Sequence, residues 1–267
     1  MLKIDDADRV RLITFARPEA RNAFDTPLYT AVAEALEEAA ARDDIAVVVL
    51  TGEGTAYSAG QDLGEMGRLS TPEVKAAREG GHGPAVEHGF RRFVSALEAF
   101  PKPVIAAVNG VAVGLGTTML PYCDLVLAST KARFRLPFAS LGVVPEAGSS
   151  FNLPAVMGWQ AAAHVLFTAD WIDAEQAVAF GLAWRICEPD ALLPEALDVA
   201  RSIARMPLVS LVGTKQLLLA TRLDLARAAR QREEAAFVEL TGGPASREAI
   251  AAFLEKREPD FTNLPPE

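Results

Sequence analysis

The sequence predicts an α/β fold that runs into a helical C-terminal region. Three observations predict it. Between residues 10 and 128, short apolar, β-branched runs alternate with stretches of helical periodicity. Two of the predicted strands lead into glycine-containing turns that open helices. From about residue 148 onwards strand signals thin to one, and helical patterns take over.

Residues 10–15 form a short β-branched run that ends at the turn-rich, charged segment ARPEARNAFDTP. From Pro27 to about Arg42, Leu28, Val32, Leu36 and Ala39 recur at helical spacing. Residues 45–50 are continuously apolar, as in a buried parallel strand. Residues 64–86 are polar and contain GGHGP, which reads as a variable excursion. A helix over 86–100, a strand over 104–108, a glycine-rich turn with a short helix, and a strand over 124–128 follow. Helices are predicted over 161–168, 174–180, 194–204, 209–220, 223–240 and 246–256, with one late strand at 183–187. A soft boundary near Arg205 divides an α/β core, residues 1–205, from a helical region, residues 206–267.

Half of the 267 residues are hydrophobic, enough for a sizeable core. A net charge of −9 argues against a nucleic-acid surface, which needs a field of Lys and Arg to neutralise phosphates. No apolar run is long enough to span a membrane, and the N-terminus has neither a signal core nor a transit-peptide composition. A soluble, untargeted, cytoplasmic protein with no membrane or nucleic-acid partner is the expectation. Cys123 and Cys187 lack metal-ligand spacing and read as small buried apolar residues; no metal site is expected. His82 and His88 read as loop or surface residues, and His164, in an apolar helical pattern, as a packed histidine.

The turns YSAGQDL at 57–63 and VGLGTTM at 113–119 carry the chemistry. A strand-to-helix turn with little side-chain bulk exposes backbone N–H groups, and the helix dipole adds positive character there. Each turn could donate to an oxygen anion; each could also be merely steric. Neither matches a phosphate-binding GxxxxGK[ST] loop or the GxGxxG of a dinucleotide fold.

Together, about fifty residues apart, the two turns resemble the oxyanion-hole segments of the enoyl-CoA hydratase/isomerase (crotonase) superfamily. The resemblance extends over ARPEARNAFD, LTGEGTAYSAGQDL, PKPVIAAVNGVAVGLGTTMLPYCDLVLAS, FRLPFASLGVVPEAGSS and FLEKREPDF, in order and over nearly the whole chain. It implies a crotonase-like (ββα)-repeat spiral core, an acyl-CoA thioester substrate, and a homotrimer or hexamer joined through the C-terminal helices. No separate cofactor is implied, coenzyme A being part of the substrate. By the family pattern the N–H groups of Gln61 and Leu115 would hold the thioester oxygen, where proton abstraction next to the carbonyl places negative charge. Ala20 and Ser58, Ala59, Gly60, Gln61, Asp62 and Leu63 would border the coenzyme A, with Arg21 and Lys256 near its phosphates. Both basic residues could equally be solvated surface charges. Asp62 also reads as the cap of the helix after the first turn, and Asp124 as structural.

Hydratases of the superfamily carry two glutamates, whose matching positions here are Thr118 and Phe138. The remaining nearby acid is Glu146, in LGVVPEAGSS, a pattern that resembles peroxisomal-type Δ3,Δ2-enoyl-CoA isomerases. That reaction needs one carboxyl, which takes a proton from C2 and returns it to C4. Glu146 could otherwise be an acid favoured at a helix N-terminus. If it is a base, apolar Phe138, Leu141, Val143 and Val144 should raise its pKa. A hydratase using Glu146 atypically, another thioester-enolate reaction and an acyl-CoA binder without turnover are the alternatives. Tyr57, Met66, the 64–86 excursion and the helix near Phe90 are expected to shape the acyl cavity.

Overall fold

The computed structural model describes residues 1–62, 64–65 and 85–264, without the side chains of 85–87 and 253. Leu63, Met66, His82 and most of the 64–86 excursion, all singled out in the sequence, lie outside the described residues.

Ten strands form two sheets among these residues. The six-stranded sheet has the order β1 (Leu2–Ala7), β2 (Val10–Phe15), β3 (Val47–Gly52), β5 (Val104–Val108), β7 (Leu125–Ser129), β10 (Arg185–Cys187). Only β1 and β2 are antiparallel; the rest of the sheet is parallel. The four-stranded sheet runs β4 (Ala56–Ser58), β6 (Val111–Val113), β8 (Arg133–Arg135), β9 (Ile172–Asp173). Thus β3, β5 and β7 each pass, after a short turn, into a strand of the second sheet, which is the (ββα)-repeat the resemblance implied. Fold class and crotonase-like architecture therefore stand.

The period-2 alternation of the central strands sorts their side chains between two cores. Val48, Leu50, Val104, Ala106 and Val108 face the larger core. It includes Leu28, Val32 and Leu36 of α1 (Thr26–Ala41) and Phe93 and Leu97 of α2 (Ala85–Glu98). Val47, Val49, Ile105, Ala107 and Leu127 face the other way, onto Leu192, Ala196, Ala200 and Ala204. α1 begins where the Asp25 carboxylate accepts the Leu28 N–H at 2.9 Å, a side-chain N-cap, with Pro27 in the first turn.

α3 (Leu115–Thr118) opens directly from Gly114. Beyond it lie α4 (Ser149–Met157), α5 (Trp159–Thr168), α6 (Ala174–Ala179) and α7 (Pro189–Ala204). The last three helices are α8 (Leu208–Ala220), α9 (Leu223–Leu240) and α10 (Pro244–Glu255).

Several local expectations change. The helix expected to begin at 194 begins at Pro189, because proline is at home in a first turn and Pro194 is tolerated inside it. α4 adds a helix outside the helical stretches read from 161 onwards, its pattern broken by Pro154. His164 is not packed: its side chain is 48% exposed and lies 4.0 Å from Asp170. The apolar run around it misled, since Phe167 on the same helix also faces outwards. Both cysteines are buried free thiols, as expected, pushed up to about 12 for Cys123 and about 11 for Cys187, chiefly by burial.

Candidate active site

The first turn is built around Asn22. Its buried side chain accepts from the Arg17 N–H at 2.9 Å and donates to the carbonyls of Glu53 at 2.9 Å and Ala56 at 2.7 Å. Its own carbonyl accepts the Ser58 hydroxyl at 2.9 Å, and that hydroxyl accepts the Gly60 N–H at 3.1 Å. The Ala59 N–H donates to the Arg21 carbonyl at 2.9 Å. The Ala20–Arg21 turn and the Ser58–Gln61 turn are thus one unit, with Arg21 exposed and left-handed at φ 51°. Replacing Asn22 with alanine strands several buried polar groups, so a loss of about 3 kcal/mol is expected in urea unfolding.

Phe24 pairs with the strand end at Gln61 as an isolated parallel bridge: its N–H donates to the Gly60 carbonyl, and its carbonyl accepts the Asp62 N–H. That pattern turns the Gln61 N–H away from Phe24, and it has no hydrogen-bond partner among the described residues. The Leu115 N–H, first in α3, has none there either. Gly60 joins the two turns. At φ +84° a Cβ on it would lie 2.5 Å from the Val113 carbonyl oxygen and 3.4 Å from the Leu115 nitrogen. Only glycine permits that approach.

Asp62 ties its own turn together, accepting the Gly64 N–H at 2.9 Å and pairing with Arg17 at 3.3 Å. Asp124 is structural, accepting the Val104 N–H at 2.8 Å and pairing with the buried Lys215 at 2.6 Å. Lys256 is exposed just past α10. Tyr57 is a core residue: it is wholly buried, edge-on to Phe15 at 5.4 Å, its hydroxyl 3.5 Å from the Met119 sulfur.

Glu146 lies in the loop before α4, partly buried, and its carboxyl makes no hydrogen bond to any described residue. Burial, and then the nearby charge of Glu233, raise its pKa to about 8. The apolar setting was foreseen; Glu233 was not. Near enough to Glu146 to feel its charge is Tyr29 of α1, fully buried, its hydroxyl without a partner among the described residues. Burial, then the charge of Glu146, hold that phenol well above its usual range. Tyr29 packs 5.1 Å from Phe24, and so connects Glu146 to the strand end that carries Gln61. Thr118 and Phe138 are both buried, the Thr118 hydroxyl unpartnered among the described residues.

Sequence reasoning missed Tyr29 and Glu233. Each sits on a helix face otherwise filled by small or apolar residues, Ala226 and Ala229 in the case of Glu233. A polar group on such a face was the available signal.

Comparison with known proteins gives a family model described as enoyl-CoA hydratase/isomerase that matches residues 5–264. Among curated proteins, the 1,2-epoxyphenylacetyl-CoA isomerase of Escherichia coli K12 is 34% identical over 95% of each chain. The 2,3-dehydroadipyl-CoA hydratase of the same organism is 35% identical over 97% of this chain and 98% of its own. Among solved structures, an enoyl-CoA hydratase/isomerase from Pseudoalteromonas atlantica T6c superposes with a TM-score of 0.88 at 36% identity, covering 98% of this chain and 99% of that one.

Proposed function

The chain belongs to the enoyl-CoA hydratase/isomerase family, and from that premise we propose that it converts 3-enoyl-CoA to 2-enoyl-CoA thioesters, with Glu146 carrying the proton. Its family makes it a crotonase-type acyl-CoA enzyme. One observation supports the finer reading: a carboxyl unbound by described residues stands at 146, while the two positions that bear acids in hydratases hold Thr118 and Phe138.

In this reading the thioester oxygen sits between the N–H groups of Gln61 and Leu115. Ionised Glu146 takes a proton from C2; the electron pair moves into the carbonyl, and the oxygen becomes an enolate oxyanion. The two N–H groups stabilise that charge more than they stabilise the neutral carbonyl. The same carboxyl then gives its proton to C4, the enolate collapses, and the double bond ends between C2 and C3. No atom is gained or lost. Ala20, Arg21, the 58–62 segment and Lys256 are proposed to border the coenzyme A.

Hydration is the second reading, supported by the relatives named hydratases. Incubation with a 3-enoyl-CoA and a 2-enoyl-CoA separately distinguishes the two. Isomerisation of the first is expected; addition of water to the second without isomerisation would overturn the proposal. Gly60→Ala tests the donors: a Cβ there pushes against the Val113 carbonyl and parts the two turns. A drop in kcat of roughly 100-fold or more is expected. Full activity in that variant would remove Gln61 and Leu115 from the mechanism.

A homotrimer or hexamer is part of the same proposal. It is supported by the large apolar side chains this chain exposes, Trp159, Phe167, Val209 and Leu254 among them. Sedimentation measures it.

A further inference from the structure

The N-terminus of α4 follows Glu146 directly, and its first N–H groups need acceptors. Gly148, its N-cap residue, supplies no side chain to accept them. Glu146 is the nearest acid in sequence, yet its carboxyl takes none of these bonds; only its main-chain carbonyl accepts the Ser149 N–H, at 3.0 Å. The Gly148 and Ser150 bonds go to Glu233, which reaches in from α9, only 5% exposed. Its two carboxylate oxygens accept the Gly148 N–H at 2.6 Å and the Ser150 N–H at 2.7 Å. These are charge-assisted bonds at a helix terminus, where the dipole favours an anion.

The turn so held is a strained one. Ala147 has φ +58°, a left-handed conformation that a side chain makes costly, and Gly148 has φ +69°. The Tyr122 hydroxyl also fastens the turn, donating to the Ala147 carbonyl at 2.6 Å, as does the Ser149 hydroxyl, which donates to the Glu146 carbonyl at 2.5 Å. α9 is itself anchored: Arg227 and Arg230 pair with the buried Glu98 of α2 at 3.3 and 3.7 Å.

We propose that Glu233 is a positioning residue: by occupying the N-terminal donors of α4 it fixes the left-handed turn at Ala147 and leaves the Glu146 carboxyl uncapped and turned to substrate. The proposal rests on the reading of Glu146 as the proton carrier. Two acids compete for one set of donors, and the one further away in sequence wins them. Were Glu146 to cap α4, these donors would stabilise its anion and oppose the rise in pKa that proton exchange near neutral pH needs. Glu233 also sets a negative charge beside it, which raises the Glu146 pKa in the same direction as burial does.

The other ionisable groups around this turn do not supply that effect. Tyr29 on α1, with Asp25 and Glu65 near it, and Tyr122, with Glu98 and Arg230 near it, face the region. Burial holds both phenols un-ionised, Tyr29 and Tyr122 each raised above the ordinary tyrosine range.

The test is a direct titration of Glu146 in the full-length protein by infrared spectroscopy, the protonated carboxyl band being the one absent from Glu146→Gln. In Glu233→Gln the charge is gone, and an amide can accept through one atom only, so one of the two bonds is lost. A fall of the Glu146 midpoint by roughly 1 pH unit is expected. With a 3-enoyl-CoA as substrate, kcat should fall roughly 10- to 100-fold with KM little changed, as for a displaced reacting group. Glu233→Asp keeps the charge but draws it back by one carbon, so its midpoint should fall by less than that of Glu233→Gln. A purely structural role would lower the melting temperature and leave the midpoint where it was.

An unmoved midpoint in folded Glu233→Gln overturns the proposal. If that variant does not fold, Glu233→Asp carries the test alone: its shorter side chain draws the charge away, so a smaller fall is expected, and no fall overturns the proposal. The titration needs no substrate. A wild-type protein that leaves 3-enoyl-CoA unchanged would therefore sink the isomerase reading while the role of Glu233 is still decided.

Discussion

Glu146→Gln is expected to slow the conversion of 3-enoyl-CoA to 2-enoyl-CoA by about a thousand-fold, or about 4 kcal/mol in the barrier, with little change in acyl-CoA binding. Glutamine is nearly isosteric but has no proton to give and no basic oxygen to take one. The oxyanion donors are main-chain groups on other segments, so the substitution leaves them in place. Substrate should bind as before and wait at the first proton transfer. In the unmodified protein the acid limb of kcat/KM should follow ionisation of the free enzyme's base, with a midpoint near the value of about 8 to which burial and Glu233 raise Glu146. In Glu146→Gln that limb should vanish from the residual rate. Steady-state kinetics over roughly pH 6 to 9 measure both. A variant retaining a tenth or more of the rate would show that another group moves the proton.

The same substitution should change stability with a definite pH dependence. Below the ordinary carboxyl value of 4.5 the side chain is protonated folded or unfolded, and burial of Glu146 carries no ionic penalty. Between 4.5 and about 8 the unfolded chain has released the proton while the folded chain still holds it. The folded state then binds more protons, so stability falls as pH rises through this window. At neutral pH the loss amounts to at most about 3 kcal/mol, since each pH unit between the two midpoints is worth about 1.4 kcal/mol and the group is only partly buried. Glu146→Gln removes the titration. Urea unfolding at about pH 5 and about pH 8 should therefore show the variant gaining stability over the wild type as pH rises. Equal slopes in the two proteins would place the Glu146 pKa near its ordinary value.

The central strands and most helices were legible in the sequence because their hydrophobic period is undisturbed. Residues 104–108 alternate cleanly between two cores, and α9 spans the 223–240 that its pattern predicted. The second sheet was not legible. β4, β6, β8 and β9 are two or three residues long, too short for any period to show. β1 was hidden for another reason: LKIDDA faces solvent almost throughout and carries no apolar signal.

Within the site, Gln61 and Leu115 were assigned through the family resemblance, the glycine turns alone leaving a merely steric role open. Glu146 was assigned through the resemblance of LGVVPEAGSS, its place before a helix alone reading as a helix-terminal acid. What could not be read was the group acting on it. Glu233 lies 83 residues beyond its Ser150 contact, on a helix whose buried Ala226 and Ala229 allow close approach to α4. Nothing local signals such a meeting, which the packing of α9 against α4 alone creates. The hydroxyl of Tyr29, unpartnered among the described residues, is hidden in the same way, since a tyrosine among Leu28, Val32 and Leu36 reads as core.

The central claim is that one carboxyl carries one proton from C2 to C4. A 3-enoyl-CoA bearing two deuterium atoms at C2 tests it most directly, with the 2-enoyl product of the first turnovers read by mass spectrometry and NMR. The account predicts deuterium at C4 in a measurable share of the product, handed over before Glu146 exchanges with water, and none in whatever product Glu146→Gln forms. Product whose C4 carries only solvent hydrogen from the first turnover onwards would contradict it.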